Sequence, residues 1–209
     1  MGLTPCVVAG CGPGAPGLVT PQVRAAALDC QVLAGAPRLL DLFPESRAER
    51  LACRDGLEPF LAALAPHLGR RPVTVLVTGD PGIASLAGSL VRHFPDQPFR
   101  RLPGISSVQA AFAAAGLDHQ DACLVRAHGR LPAWESSWDA HRGPFAVLMG
   151  HPGAPAFAAR LARRLDRGHL WRCERLSLPD QRIERLTPAA LAAGGCHPLC
   201  VVIVEGAQP

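Results

Sequence analysis

The sequence predicts an α/β protein built as two α/β lobes. Short apolar runs alternate with segments of helical composition, several of those runs end in glycine-rich loops that lead into a helix start, and the same order recurs in the second half of the chain. Alternation of this kind places helices over the faces of a mainly parallel sheet and ligand loops at the carboxyl ends of its strands.

The first run, Cys6-Val7-Val8-Ala9, ends in the loop Gly10-Cys11-Gly12-Pro13-Gly14-Ala15-Pro16-Gly17. Thr20-Pro21 then opens a helix over 22–28, because a threonine can cap the first turn and a proline at the first helical position loses no hydrogen bond. Residues 31–35 read as a second strand and 58–68 as a helix. The clearest strand, Val73-Thr74-Val75-Leu76-Val77, runs into Thr78-Gly79-Asp80-Pro81-Gly82 and an apolar-periodic helix over 83–94. A strand over 99–102 leads through Pro103-Gly104-Ile105-Ser106-Ser107 into an alanine-rich helix over 108–115. The second half has strands at 123–126, 145–149, 170–173 and 199–204, with a strong helix over 155–165. The seam falls at the Gly116-Leu117-Asp118 turn, giving lobes 1–116 and 117–209.

At 209 residues with 48% hydrophobic content, the chain can bury the cores of two such lobes. The net charge is +4, and all 21 basic residues are arginine, with no lysine and no tyrosine. That excludes Schiff-base chemistry, a Walker-type phosphate loop, and a lysine or phenol general base. Arginine's planar fork suits polyanions. The charge is spread without a basic run and aromatics are only 5%, so no nucleic-acid partner is expected. The apolar runs are far shorter than the roughly 20 residues of a membrane span, and no secretory signal is read at the amino terminus, so the expected compartment is the cytoplasm. The eight cysteines are scattered and read as reduced thiols. Cys196-His197-Pro198-Leu199-Cys200 has no second ligand pair at metal-site spacing, so no metal is assigned.

Gly12-Pro13-Gly14-Ala15-Pro16-Gly17 matches the spacing of a dinucleotide loop, but a pyrophosphate cradle needs backbone N–H donors and Pro13 and Pro16 have none. No ribose-binding acid follows the second strand, where Gly35-Ala36-Pro37-Arg38 stands. The loop is a stiff turn that can press against a flat ligand, or a tight turn with no ligand. Asp80 reads either as a ligand carboxylate or as a helix cap, and Ser106 and Ser107 either as polar ligand contacts or as a cap.

Together these residues resemble the tetrapyrrole methylase family of S-adenosylmethionine-dependent enzymes. The resemblance rests on Val8 to Gly14 with Leu18-Val19-Thr20, on Thr78 to Gly82, and on Pro103 to Gln109. The continuation Gly116-Leu117-Asp118-His119-Gln120-Asp121-Ala122 and His128-Gly129-Arg130 resembles one branch, which methylates carbon 5 of precorrin-7 or cobalt-precorrin-7 in cobalamin biosynthesis. The resemblance implies two α/β lobes of tetrapyrrole methylase type with the cofactor in the cleft between them, usually as a homodimer. It implies cofactor contacts at Pro13, Asp80, Ile83, Ser106, Ser107 and Met149, the last of which also reads as plain core. Ala15 and Gly17 depart from the family, where acidic residues are common. Some members carry a second domain that methylates carbon 15 and decarboxylates; this chain ends at Pro209, so that activity is expected from a separate protein.

Methyl transfer from a sulfonium is an in-line displacement that needs alignment and a dry site, not a covalent nucleophile. The acidic arms of a precorrin would be gripped by Arg126, Arg130 and Arg175, and His128 could take a proton from the methylated ring; each also reads as an ordinary surface or structural residue. No catalytic residue is assigned. Alternatives are a methylase acting at another ring carbon, a nicotinamide-dependent oxidoreductase using the first loop, and a binding module that holds cofactor or tetrapyrrole without turnover.

Overall fold

The computed structural model describes residues 4–207. Met1-Gly2-Leu3, on which part of the expectation of no secretory signal rests, lies outside them, as do Gln208 and Pro209. The chain divides into two compact units, Met1–Ser106 and Ser107–Pro209.

The first unit contains β1 (Cys6–Gly10), α1 (Pro21–Asp29), β2 (Val32–Gly35), α2 (Pro37–Leu40), β3 (Glu49–Ala52), α3 (Leu57–Leu64), β4 (Val73–Val77), α4 (Ala87–His93) and β5 (Phe99–Leu102). Its five strands run in the order β3-β2-β4-β1-β5, and every pairing is parallel. Residue alternation sends Cys6, Val8, Val73, Val75 and Val77 to one face, under Phe60, Leu61 and Leu90 of α3 and α4. It sends Ala9, Leu33 and Leu76 to the other, under Val23, Leu39 and Leu40 of α1 and α2. Both faces of β4 are therefore covered, and each buried valine side chain contributes about 1.5 to 2 kcal/mol of apolar burial.

Helix α1 starts as expected: Thr20 is extended, and its Oγ1 accepts from the Val23 N–H at 3.3 Å, with Pro21 at the first helical position. Thr20→Ala is expected to lower unfolding stability by about 1 kcal/mol, measurable by urea denaturation. The helix expected over 83–94 begins only at Ala87, because Ala84 turns left-handed (φ +47°) and Ser85 bonds back to the Pro81 carbonyl at 2.6 Å. The helix expected to reach residue 68 stops at Leu64: Ala65 is still helical and its N–H bonds to the Leu61 carbonyl, but Pro66 has no N–H with which to continue the ladder.

The second unit contains α5 (Ser107–Ala115), β6 (Cys123–Arg126), α6 (Ser137–Ala140), β7 (Phe145–Leu148), α7 (Ala154–Arg164), β8 (Leu170–Glu174), β9 (Arg182–Leu186), α8 (Pro188–Gly194) and β10 (Cys200–Val204). Its strand order is β6-β7-β10-β8-β9. Only β6 and β7 pair in parallel; β10 runs antiparallel to β7 and β8, and β9 antiparallel to β8. The expectation of a mainly parallel sheet is thus corrected for this unit. A short β8–β9 connection forces an antiparallel pair, since a parallel return needs a crossover of a dozen residues or more. The buried strand β10 has Val202 and Val204 against Phe157 and Leu161 of α7 on one face, and Val201 and Ile203 against Val108 and Phe112 of α5 on the other.

The division between units comes ten residues before the Gly116-Leu117-Asp118 turn, since the first unit ends at Ser106. The reason is packing: Val108, Ala111 and Phe112 bury against Ala146, Cys173 and Ile203, so α5 is part of the second core.

Candidate functional site

Strands β4, β1 and β5 are adjacent and parallel, so the loops that follow them leave from one edge of the first sheet. The first loop is tied to the second by a two-way backbone pair: Gly79 N–H donates to the Gly12 carbonyl at 2.9 Å, and Gly12 N–H to the Gly79 carbonyl at 3.4 Å. Gly12 takes φ +73° and Gly79 φ +67°, a region that suits glycine. The third loop closes against both. A Cβ built on Gly104 would lie 2.3 Å from the Gly10 carbonyl oxygen, and one on Gly10 would lie 2.5 Å from that of Gly79.

Asp80 clasps this assembly. Its Oδ1 accepts from the Gly82 N–H at 2.7 Å and its Oδ2 from the Gly104 N–H at 3.2 Å. The carboxylate therefore joins the loop after β4 to the loop after β5, a bridge that reading Asp80 as a simple helix cap does not supply. Pro13 is buried beside Gly12, Ile83 is half-buried next to the left-handed Ala84, and Ser106 is buried at the end of the unit.

Arg38 and Thr78 were not singled out from the sequence and belong to this edge. Arg38 follows β2, its guanidinium donates to the Thr78 hydroxyl, and burial pulls its pKa down. Cys11, fully buried in the first loop, has its thiol pushed up to about 12 by burial, so it stays protonated at neutral pH and is no nucleophile.

The prolines withhold the N–H groups a pyrophosphate needs, and the Asp80 carboxylate would repel a polyphosphate while attracting a cation.

In the second unit, Ser107 opens α5, and β6 and β7 end side by side, with Arg126 opposite Leu148. His128 is fixed by this pairing: its Nδ1 lies 3.0 Å from the Met149 carbonyl oxygen, which can only accept. Nδ1 is therefore the donor in this contact. Gly150 makes room for the ring, because a Cβ there would sit 1.8 Å from Nδ1. Arg126 and Arg130 are exposed and have no ion-pair partner among the described residues. Arg175 differs. It pairs with Asp180 and lies 3.4 Å from His197 Nε2, so its charge is already engaged. The Met149 side chain is 4% exposed and packs in the apolar cluster with Val125, Val147 and Phe157.

Glu174, Cys196 and Cys200 also gather at this edge, with their ligand atoms within 4.8 Å of one another. Spacing alone could not find the trio, because Glu174 lies on a different strand, far from the cysteine pair in sequence. All eight cysteines are free thiols. No helix among the described residues is long and apolar enough to cross a membrane.

The first unit is thus a parallel sheet with a stiff, carboxylate-bearing loop edge, and the second a mixed sheet whose edge carries arginines without an ion-pair partner among the described residues, an α/β architecture in both. Comparison with known proteins makes the class specific. Residues 5–192 match the family model described as Tetrapyrrole (Corrin/Porphyrin) Methylases. The chain is 32% identical over 188 residues to the cobalt-precorrin-7 C(5)-methyltransferase of Salmonella typhimurium strain LT2, covering 89% of this chain and 92% of that one. It is 30% identical over 154 residues to a decarboxylating precorrin-6Y C(5,15)-methyltransferase of a Sinorhizobium species, covering 71% of this chain and 37% of that one. Among solved structures, the uroporphyrin-III C-methyl transferase of Thermus thermophilus, complexed with S-adenyl homocysteine, superposes with a TM-score of 0.78 at 23% identity, covering 97% of each chain. The chain belongs to the tetrapyrrole methylase family. It is an S-adenosylmethionine-dependent methyltransferase.

Proposed function

We propose that the chain methylates carbon 5 of precorrin-7 or cobalt-precorrin-7 in cobalamin biosynthesis. The observation that carries this reading is the carboxyl end of β6, where Arg126 and Arg130 are exposed without an ion-pair partner among the described residues and His128 is held between them by the Met149 carbonyl. The name of the Salmonella relative supports carbon 5, and the reading assigns that step to the residues that match part of the two-activity Sinorhizobium relative. The carbon-15 methylation and decarboxylation named for that relative are not assigned to these residues.

Pro13, Asp80, Ile83, Ser106, Ser107 and Met149 would hold the cofactor. S-adenosylmethionine supplies a methyl group on an electrophilic sulfonium. The Asp80 carboxylate favours that positive charge and, through Gly82 and Gly104, fixes the loops around it. Arg126 and Arg130 offer planar forks to the acetate and propionate arms, which orients the ring. His128, oriented by the Met149 carbonyl, would accept through Nε2 the proton released when the ring carbon is methylated. As in the family at large, the working unit is a homodimer of this non-membrane chain, in the cytoplasm; sedimentation giving a monomer mass at micromolar concentration would contradict the dimer.

Calorimetry tests the cofactor assignment: S-adenosylmethionine is expected to bind and NAD(P) not to, and the reverse pattern would overturn it. The arginines are tested by Arg126→Ala with Arg130→Ala. Losing two exposed charge-assisted contacts is expected to raise KM for the corrinoid about 10- to 100-fold while leaving the cofactor Kd unchanged.

A further inference from the structure

We propose that Glu174, Cys196 and Cys200 form a binding site for a thiophilic divalent cation of the Zn2+ type. Methyl transfer uses none of the three side chains, so the site stands independently of the carbon-5 reading.

The strand register builds it. Glu174 ends β8 and Cys200 opens β10, and the two are direct partners in the antiparallel ladder, so their side chains leave the sheet on the same face. Cys196 is returned to that face by the turn after α8, where Gly195 takes φ +66°. Glu174 is 8% and Cys200 6% exposed, while Cys196 is half-buried and gives a route for entry. The three ligand atoms lie within 4.8 Å of one another. A tetrahedral site with Zn–S bonds of about 2.3 Å holds its sulfurs roughly 3.8 Å apart, so small side-chain rotations close it.

The surroundings suit such a centre. Glu174 is oriented by the His197 N–H, which donates to its Oε1 at 2.7 Å. The His197 ring is already used, with Nδ1 accepting from the Leu199 N–H at 2.9 Å and Nε2 facing Arg175, so it orients the loop and is not a ligand. Two thiolates and a carboxylate around a divalent cation leave one net negative charge, with two protons released as the thiols bind. The buried Arg172 guanidinium lies beside Glu174, its Nε 3.9 Å from Oε1; it also pairs with Glu184 and donates to the Gly195 carbonyl, so it offsets that charge only in part. The fourth position is open to water or an exogenous donor. Soft thiolates select Zn2+ over Mg2+ or Ca2+.

The reduced, metal-stripped full-length chain is titrated with Zn2+ against a chromophoric chelator. One Zn2+ per chain is expected, with affinity at least about 100-fold weaker in Cys196→Ser and in Cys200→Ser and about 10-fold weaker in Glu174→Gln. Co2+ as a probe is expected to give thiolate charge-transfer absorption in the wild type. Equal Zn2+ affinity in wild type and cysteine variants, or Co2+ binding without that absorption, would overturn the site. Should the variants not fold, wild-type alkylation decides: Zn2+ is expected to slow modification of Cys196 but not of Cys53, read by peptide mass spectrometry. Unchanged labelling of Cys196 would rule the site out.

Discussion

Gly104→Ala is expected to lose about 3 kcal/mol or more of unfolding stability and to abolish measurable S-adenosylmethionine binding. The added Cβ would meet the Gly10 carbonyl oxygen at 2.3 Å, the Gly79 carbonyl oxygen at 2.5 Å and the Gly10 carbonyl carbon at 2.6 Å. All are backbone atoms, so no side chain can rotate away, and the loops after β1, β4 and β5 must separate. Separation breaks the Gly12–Gly79 pair and the Asp80 bridge, and those hold together the loop edge proposed to bind the cofactor. Urea denaturation with calorimetry checks it. A variant with unchanged midpoint and affinity would show that the three loops do not act as a unit.

Asp80→Ala is expected to raise the cofactor Kd about 10- to 100-fold and to cost about 2 to 3 kcal/mol of stability. An aspartate confined to a loop would affect binding and leave the fold alone. This one accepts backbone N–H groups from two loops, so its removal leaves the Gly104 N–H without its acceptor as well as deleting the negative charge that the proposed binding mode sets against the sulfonium. Asp80→Asn keeps an acceptor for one of the two N–H groups and loses the charge. It should recover part of the stability but little of the affinity. Full affinity in Asp80→Asn would show that the charge has no role in binding.

The uneven legibility of the sequence has a physical pattern. Strands β4, β5, β6 and β10 were readable to within a residue because β4 and β10 are buried apolar runs and the other two are bounded by turn residues. Strands β3 and β9 were missed, since Glu49-Arg50-Leu51-Ala52 and Arg182-Ile183-Glu184-Arg185-Leu186 are edge strands whose charged, largely exposed residues hide the extended backbone. Missing β9 also concealed the antiparallel half of the second sheet.

The candidate site divides in the same way. Loop chemistry made the three glycine turns visible and let Pro13 and Pro16 argue against a dinucleotide. Contacts that need strands brought side by side were invisible: Asp80 to Gly104, Arg38 to Thr78, His128 to the Met149 carbonyl, and Glu174 to Cys196 and Cys200. Arg175 shows the converse. As a lone arginine near a strand end it looked equivalent to Arg126 and Arg130, yet Asp180, five residues on, already pairs with it.

The most direct test is transfer of a 13C-labelled methyl group from S-adenosylmethionine by the purified chain, with precorrin-7 and cobalt-precorrin-7 supplied separately and the product assigned by NMR. A single labelled methyl on carbon 5 of at least one substrate is the expected result. Label on another ring carbon, or cofactor binding with no transfer to either ring, would contradict the account.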